Sequence, residues 1–156
     1  MDNVQRCQRG AKMVGIEQCN DQKITVDLVD NEKDRLDAMP KYFGKFMLIA
    51  ESQIYRTMEL LWEDYRGGYW AFYTTSNGGF FMVPKVSDSQ KIELVSLGFC
   101  STVFVSPIAA GLAATMFALS QLSFRYEDGP FADLFHKLRE YAIQHDESCE
   151  IMRILD

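Results

Sequence analysis

The spacing of apolar residues changes along this chain, and each change marks an element. From Lys23 to Val29 the residues alternate, with Ile24, Val26 and Leu28 on one side and Thr25 and Asp27 on the other. That period of two predicts a half-buried strand. From Phe46 to Arg66 the period lengthens. Met47, Ala50, Ile54, Met58, Leu61 and Tyr65 step by three or four residues, which predicts a long helix with one apolar stripe. Gly67-Gly68 is its expected stop. Asn31 to Gly44 shows no such stripe and reads as a loop with at most one helical turn, ended by Pro40.

Two aromatic runs then flank an Asn-Gly pair, Tyr69 to Thr75 and Phe80 to Val83. Asn77-Gly78 suits a two-residue type I′ hairpin loop, whose central positions both need φ > 0. In that register Ser76 faces Gly79, Thr74 faces Phe81 and Phe72 faces Val83. Both faces carry large apolar groups, so both are expected to be covered. Lys91 to Val95 and Cys100 to Val105 read as two further strands joined through Gly98.

Ser106-Pro107 opens an alanine-rich helix that runs to Tyr126. Its small residues allow close approach to a sheet or another helix. Asp128-Gly129-Pro130 breaks the chain before a helix with the inner stripe Phe131, Leu134, Phe135, Leu138 and Ala142. Ile151 to Leu155 reads as a short last helix. The predicted class is α+β: a small antiparallel sheet, built from the aromatic hairpin and a meander, packed against three main helices. Residues 1–22 are polar and without period, and are expected to be disordered. Residues 23–156 form one domain.

Composition narrows the functional classes. The 156 residues are 47% hydrophobic, enough for a core without disulfides or metal. The net charge of −6 argues against nucleic-acid binding, which calls for a basic stripe. Cys7, Cys19, Cys100 and Cys149 are scattered and accompanied by only two histidines. That pattern suits reduced thiols in a cytoplasmic protein and not a zinc site. No apolar run follows Arg6, Arg9 and Lys12, so no signal peptide is expected. No charge occurs from Leu94 to Phe124, but Ser106-Pro107 divides that run. The second half is weakly hydrophobic for lipid, and a buried central helix is expected in place of a membrane span.

Enzyme signatures are absent: no G-x-S-x-G, H-E-x-x-H, P-loop or G-x-G-x-x-G occurs. Gly67-Gly68 and Gly78-Gly79 open no helix, so they read as a helix stop and a turn and not as phosphate cradles. Cys100 could be paired with His136 or His145 as a thiol–imidazole dyad, but the spacing does not support it. In an apolar strand Cys100 reads as a small hydrophobe. Carboxylate pairs such as Glu63-Asp64, Glu127-Asp128 and Asp146-Glu147 sit at helix ends, where solvation or capping explains them. The aromatic cluster around Trp70 suits either a core or a recognition surface. Base stacking is disfavoured, because Arg66 is the one nearby base against Glu63 and Asp64.

The aromatic segment also resembles a known signature. Asp64-Tyr65, Gly67-Gly68, Tyr69-Trp70, Ser76 to Gly79 and Phe80 to Met82 match, in order, the motif of the ArdB/KlcA-type antirestriction proteins. The resemblance extends upstream through Phe46-Met47, Glu51-Ser52, Tyr55 and Met58. Downstream it runs through Ala109-Ala110-Gly111, Phe117-Ala118-Leu119 and Ile151 to Asp156, so it spans about residues 40–156. It implies a non-enzymatic protein of a mobile element, without cofactor, acting on host type I restriction-modification complexes. The step it blocks does not follow from the residues.

DNA mimicry is the obvious mechanism, but duplex DNA carries about one charge per 1.7 Å of axis. The most acidic stretch here, Glu127 to Asp156, has eight acids against three bases and also donates an apolar stripe to the core. A protein–protein or indirect effect is therefore expected. The candidate partner-binding residues are Tyr69, Trp70, Ser76, Asn77 and Gly78 on the hairpin and Glu140, Asp146, Glu147 and Glu150 on the acidic stretch. An acidic patch or exposed aromatic strand could support a homodimer, though no spacing requires one. The alternative is a small hydrolase-like enzyme using Cys100 or Ser76.

Overall fold

The computed structural model describes residues 22–156; the segment expected to be disordered lies outside that range except for Gln22. The chain runs β1 (Val26–Leu28), α1 (Glu32–Phe43), a 3-10 turn (Gly44–Phe46), α2 (Met47–Leu61), β2 (Trp70–Thr75), β3 (Phe80–Pro84), β4 (Ile92–Ser96), β5 (Ser101–Val105), α3 (Pro107–Arg125), α4 (Phe131–Gln144) and α5 (Ser148–Leu155). The α+β class holds. The strands divide into two antiparallel sheets, β1-β2-β3 and β4-β5.

α3 is the centre of the core. Twelve of its residues are buried, from Pro107 to Leu122, and it packs on α2, α4, α5 and β3. It is long and apolar enough to cross a membrane, but most of it is buried against these neighbours. Ser106 caps it, with the hydroxyl accepting from the Ala109 N–H at 3.3 Å. The alanine-rich composition has the consequence expected of it. A Cβ at Gly111 would run into the Met82 carbonyl oxygen and Val83 Cα of β3. Gly111 is therefore what lets the helix backbone lie on the strand backbone.

The hairpin β2-β3 is covered on both faces, except near one end of β2, while the edge strand β1 leaves Asp27 and Leu28 exposed. Phe72, Phe80 and Trp70 face α1 and α2: Phe80 stacks on Tyr42 at 4.8 Å, and Trp70 packs on Tyr55 at 5.3 Å. The other face turns to α3 and α4, with Phe81 stacked on Tyr141 at 6.0 Å. On that face Ala71 and Tyr73 are only half-buried. In the second sheet Ile92, Leu94, Ser96, Val103 and Val105 are buried, while Glu93, Thr102 and Phe104 point to solvent. α5 covers its inner side, and Ser96 Oγ donates to the Arg153 carbonyl at 2.9 Å.

Three local expectations are corrected. The hairpin loop has three residues, Ser76 to Gly78, and not two. Thr75 N–H donates to the Gly79 carbonyl at 3.0 Å, and Gly78 N–H donates to the Thr75 carbonyl at 2.9 Å. Gly78 takes φ +86°, while Asn77 keeps a negative φ. This is a type I turn closed by a left-handed glycine, not a type I′ loop. The register shifts by one: Thr74 pairs with Phe80 and Phe72 with Met82.

Residues 32–43 form a full helix and not a loop. Asn31 Oδ1 accepts from the Lys33 N–H at 2.9 Å, and Glu32 and Asp34 sit in the first turn. Pro40 falls in the last turn, where the missing N–H interrupts only one bond before the helix ends at Gly44. Third, α2 stops at Leu61, six residues before Gly67. Trp62 is its extended C-cap, and Gly67-Gly68 shape the connector with φ +84° and +133°.

Candidate functional site

The candidate residues on the hairpin hold the fold together at its turn. Asn77 Nδ2 donates to the Lys137 carbonyl and to Glu140 Oε2, both at 2.9 Å. Asn77 Oδ1 accepts from the Thr75 hydroxyl at 2.6 Å, and that hydroxyl accepts from the Gly79 N–H at 2.9 Å. Both polar atoms of the amide are thus engaged, Nδ2 docking the turn on α4 and Oδ1 bracing the hairpin itself. Ser76 is engaged as well. Its N–H donates to the Thr25 carbonyl at 2.9 Å and its hydroxyl accepts from the Thr25 N–H at 3.0 Å, which joins β1 to the turn. Gly79 is buried, and a Cβ there would collide with Thr75 Oγ1 and Leu138. The Ser-Asn-Gly-Gly motif is therefore a three-way joint between β1, the hairpin and α4.

Glu147 has a similar part at the other end of the sheet. Its carboxylate accepts from the Ser106 N–H and from Lys91 Nζ, each at 2.9 Å, and from the Ser106 hydroxyl. A carboxylate is thereby placed at the N-terminus of α3, where the helix dipole favours it. Burial alone would push this carboxyl up. The hydrogen bonds from Ser106 and Lys91 outweigh it, so its pKa lies below the usual glutamate range.

The other candidates are dispersed. Glu140 is exposed beside Asn77 on α4, Asp146 is exposed at the α4–α5 link, and Glu150 is half-buried on α5. Trp70 is 4% exposed, with its indole N–H donating to the Tyr65 hydroxyl at 2.8 Å. Tyr69, by contrast, is 55% exposed. Tyr69-Trp70 and Asn77-Gly78 lie at opposite ends of β2, about 20 Å apart at the usual rise per residue. Cys100 is not a buried strand residue. It sits exposed at the β4–β5 tip with φ +49°. His136 is exposed on α4, and no hydrogen bond joins Cys100 to a histidine among the described residues. Nor is there a metal-binding cluster among them.

A cleft of about 450 Å³ lies beside the uncovered end of β2. Ala71, Tyr73, Val83 and Ile108 give it an apolar floor; Tyr69, Arg35 and Lys85 form one side, and Asp30 and Asp88 lie on its rim. Arg35 reaches over from α1. Its guanidinium lies 4.6 Å from both the Tyr69 and the Phe72 ring centroids and donates to the Trp70 carbonyl at 3.1 Å. That carbonyl lies beyond the point where β1 leaves β2, so Arg35 closes the strand edge. Lys85 Nζ is 5.6 Å from the same Tyr69 ring. Burial raises the Tyr73 hydroxyl above its usual pKa, and the Asp88 charge adds to the effect. Arg35 escapes notice in the sequence because its helix reads as a loop.

Comparison with known proteins places this arrangement. A family profile described as antirestriction protein matches residues 63–156, which include the whole hairpin, the cleft floor and the α4 joint. The chain belongs to the antirestriction protein family. Antirestriction protein KlcA of Escherichia coli is 39% identical over 141 residues, covering 87% of this chain and 97% of its own length. YafX of Escherichia coli K12, which has no described activity, is 38% identical over 136 residues, covering 86% of this chain and 89% of its own. A solved structure superposes with a TM-score of 0.77 at 38% identity, covering 86% of this chain and 96% of the other. It belongs to work describing KlcA and ArdB as having a novel fold, with antirestriction activity against type I DNA restriction systems in vivo but not in vitro. No enzyme class attaches to these antirestriction relatives.

Proposed function

We propose that this protein is an antirestriction effector of a mobile element, acting in the cytoplasm against the host's type I restriction-modification system. It acts by binding, directly or through another host protein, and not by catalysis or by imitating DNA. The observation that carries this reading is the likeness over 86% of the chain to a solved structure from work describing KlcA and ArdB as active in vivo but not in vitro. A DNA mimic would block the purified enzyme as well as the cellular one. Loss of the effect outside the cell favours a route that needs a further cellular component.

The acidic side chains support the same reading. Within Glu127 to Asp156, Asp128 pairs with Lys45 at 3.1 Å, Asp133 with Lys137 at 2.7 Å and Glu147 with Lys91 at 2.9 Å. Glu140 accepts from Asn77. Half of the eight acids are thus engaged within the fold, and what remains falls far short of a charge about every 1.7 Å along a duplex-length face.

The test is a variant with Asp146→Asn and Glu150→Gln, which carries fewer of the free charges. Protection of unmodified phage DNA in a type I restricting host is expected to match the wild type. A folded variant that loses protection would show that these free carboxylates are needed, as mimicry requires.

A further inference from the structure

The cleft beside β2 carries an inference of its own. Arg35 and Lys85 both lie against the Tyr69 ring, so their charges are no more than about 10 Å apart, close to the Debye length of about 8 Å at physiological salt. Neither forms an ion pair with a carboxylate among the described residues. Arg35 is held by two rings and the Trp70 carbonyl, which uses one of its five donors. Its ordering entropy is already spent, and the remaining donors are free for a planar anion.

We propose that this cleft binds an extended acidic segment of another protein, seating one carboxylate between Arg35 and Lys85 and a neighbouring apolar side chain on the floor of Ala71, Tyr73, Val83 and Ile108. The choice of a protein partner rests on the antirestriction reading above. Three features favour a peptide over a free anion. The floor is apolar, and an inorganic ion would leave it wet. Asp30 and Asp88 on the rim can accept hydrogen bonds from peptide N–H groups, which an inorganic anion lacks. The α3 N-terminus, which borders the cleft at Ser106 and Pro107, is already occupied by Glu147, so no backbone phosphate cradle is available there.

The test uses the isotope-labelled full chain and two blocked tetrapeptides, acetyl-Gly-Glu-Phe-Gly-amide and its Gln counterpart, with inorganic phosphate as a third probe. Saturable NMR shifts are expected at the backbone amides of Tyr69, Lys85 and Val86 with the Glu peptide. The Gln peptide is expected to bind about tenfold more weakly, a difference of about 1.4 kcal/mol. Lys85→Glu, at an exposed site, is expected to remove binding, while Lys45→Glu leaves it intact. The proposal is overturned if the Glu peptide gives no saturable shifts, if the two peptides bind equally, if the shifts map elsewhere, or if phosphate saturates the site as well as the peptide does. The titration involves no restriction system. Its failure leaves the antirestriction reading standing, and a failed phage assay leaves the cleft measurable.

Discussion

Asn77 holds Glu140: one amide nitrogen donates to the Glu140 carboxylate and to the Lys137 carbonyl, each at 2.9 Å, and so ties the hairpin turn to α4. Two residues that look like recognition groups in the sequence are each other's partners in the fold. Asn77→Ala would remove both hydrogen bonds to α4 and leave the buried Thr75 hydroxyl without its acceptor. A loss of about 1–3 kcal/mol in denaturant unfolding is expected, with protection retained by the folded fraction. The double-mutant cycle with Glu140→Ala should show coupling of at least about 0.5 kcal/mol.

Gly111 is predicted to be intolerant of a methyl group. Alanine would ordinarily favour a helix by about 1 kcal/mol over glycine. Here its Cβ meets the β3 backbone, which cannot move aside as a flexible side chain can. Gly111→Ala should lower stability by about 1–3 kcal/mol, read as a drop in Tm.

Glu147 gives the protein an acid-sensitive joint. Its folded pKa lies below its ordinary value of about 4.3, so its contribution is complete above that value and is lost as pH falls toward the folded pKa. Glu147→Gln should destabilise the protein at pH 7. It should also flatten the loss of stability between about pH 5 and pH 3. Melting curves across that range check both outcomes.

Cys100→Ala and His136→Ala are expected to leave protection unchanged, since each side chain is exposed and nothing joins them. Abolished activity in a folded variant would favour the hydrolase-like alternative.

Much of this architecture is legible in the sequence, and the failures have physical causes. Period and capping place α3 and α4 because Ser106-Pro107 and Asp128-Gly129-Pro130 are strong signals that tertiary packing does not override. The aromatic strands are legible, but their register is not. Asn-Gly serves both a two-residue loop and a three-residue loop with a left-handed glycine, and only the docking of Asn77 on α4 selects the second. α1 is hidden by Pro40, although Asn31 and the acids after it are a start signal. Its buried residues Ala38, Met39 and Phe43 make too short a stripe to show a period. The cleft is hidden with it, because Arg35 meets Tyr69 and Lys85 only when α1 folds over the end of β2. Spacing along the chain cannot show that a polar residue on a turn is already satisfied by a helix sixty residues away.

The proposed activity is antirestriction by binding in the cell. Its most direct test is the plating efficiency of unmodified phage on a host with a type I restriction system, with and without this protein, beside a host with a type II system. Rescue is expected in the type I host alone. No rescue from a soluble, folded protein would contradict it.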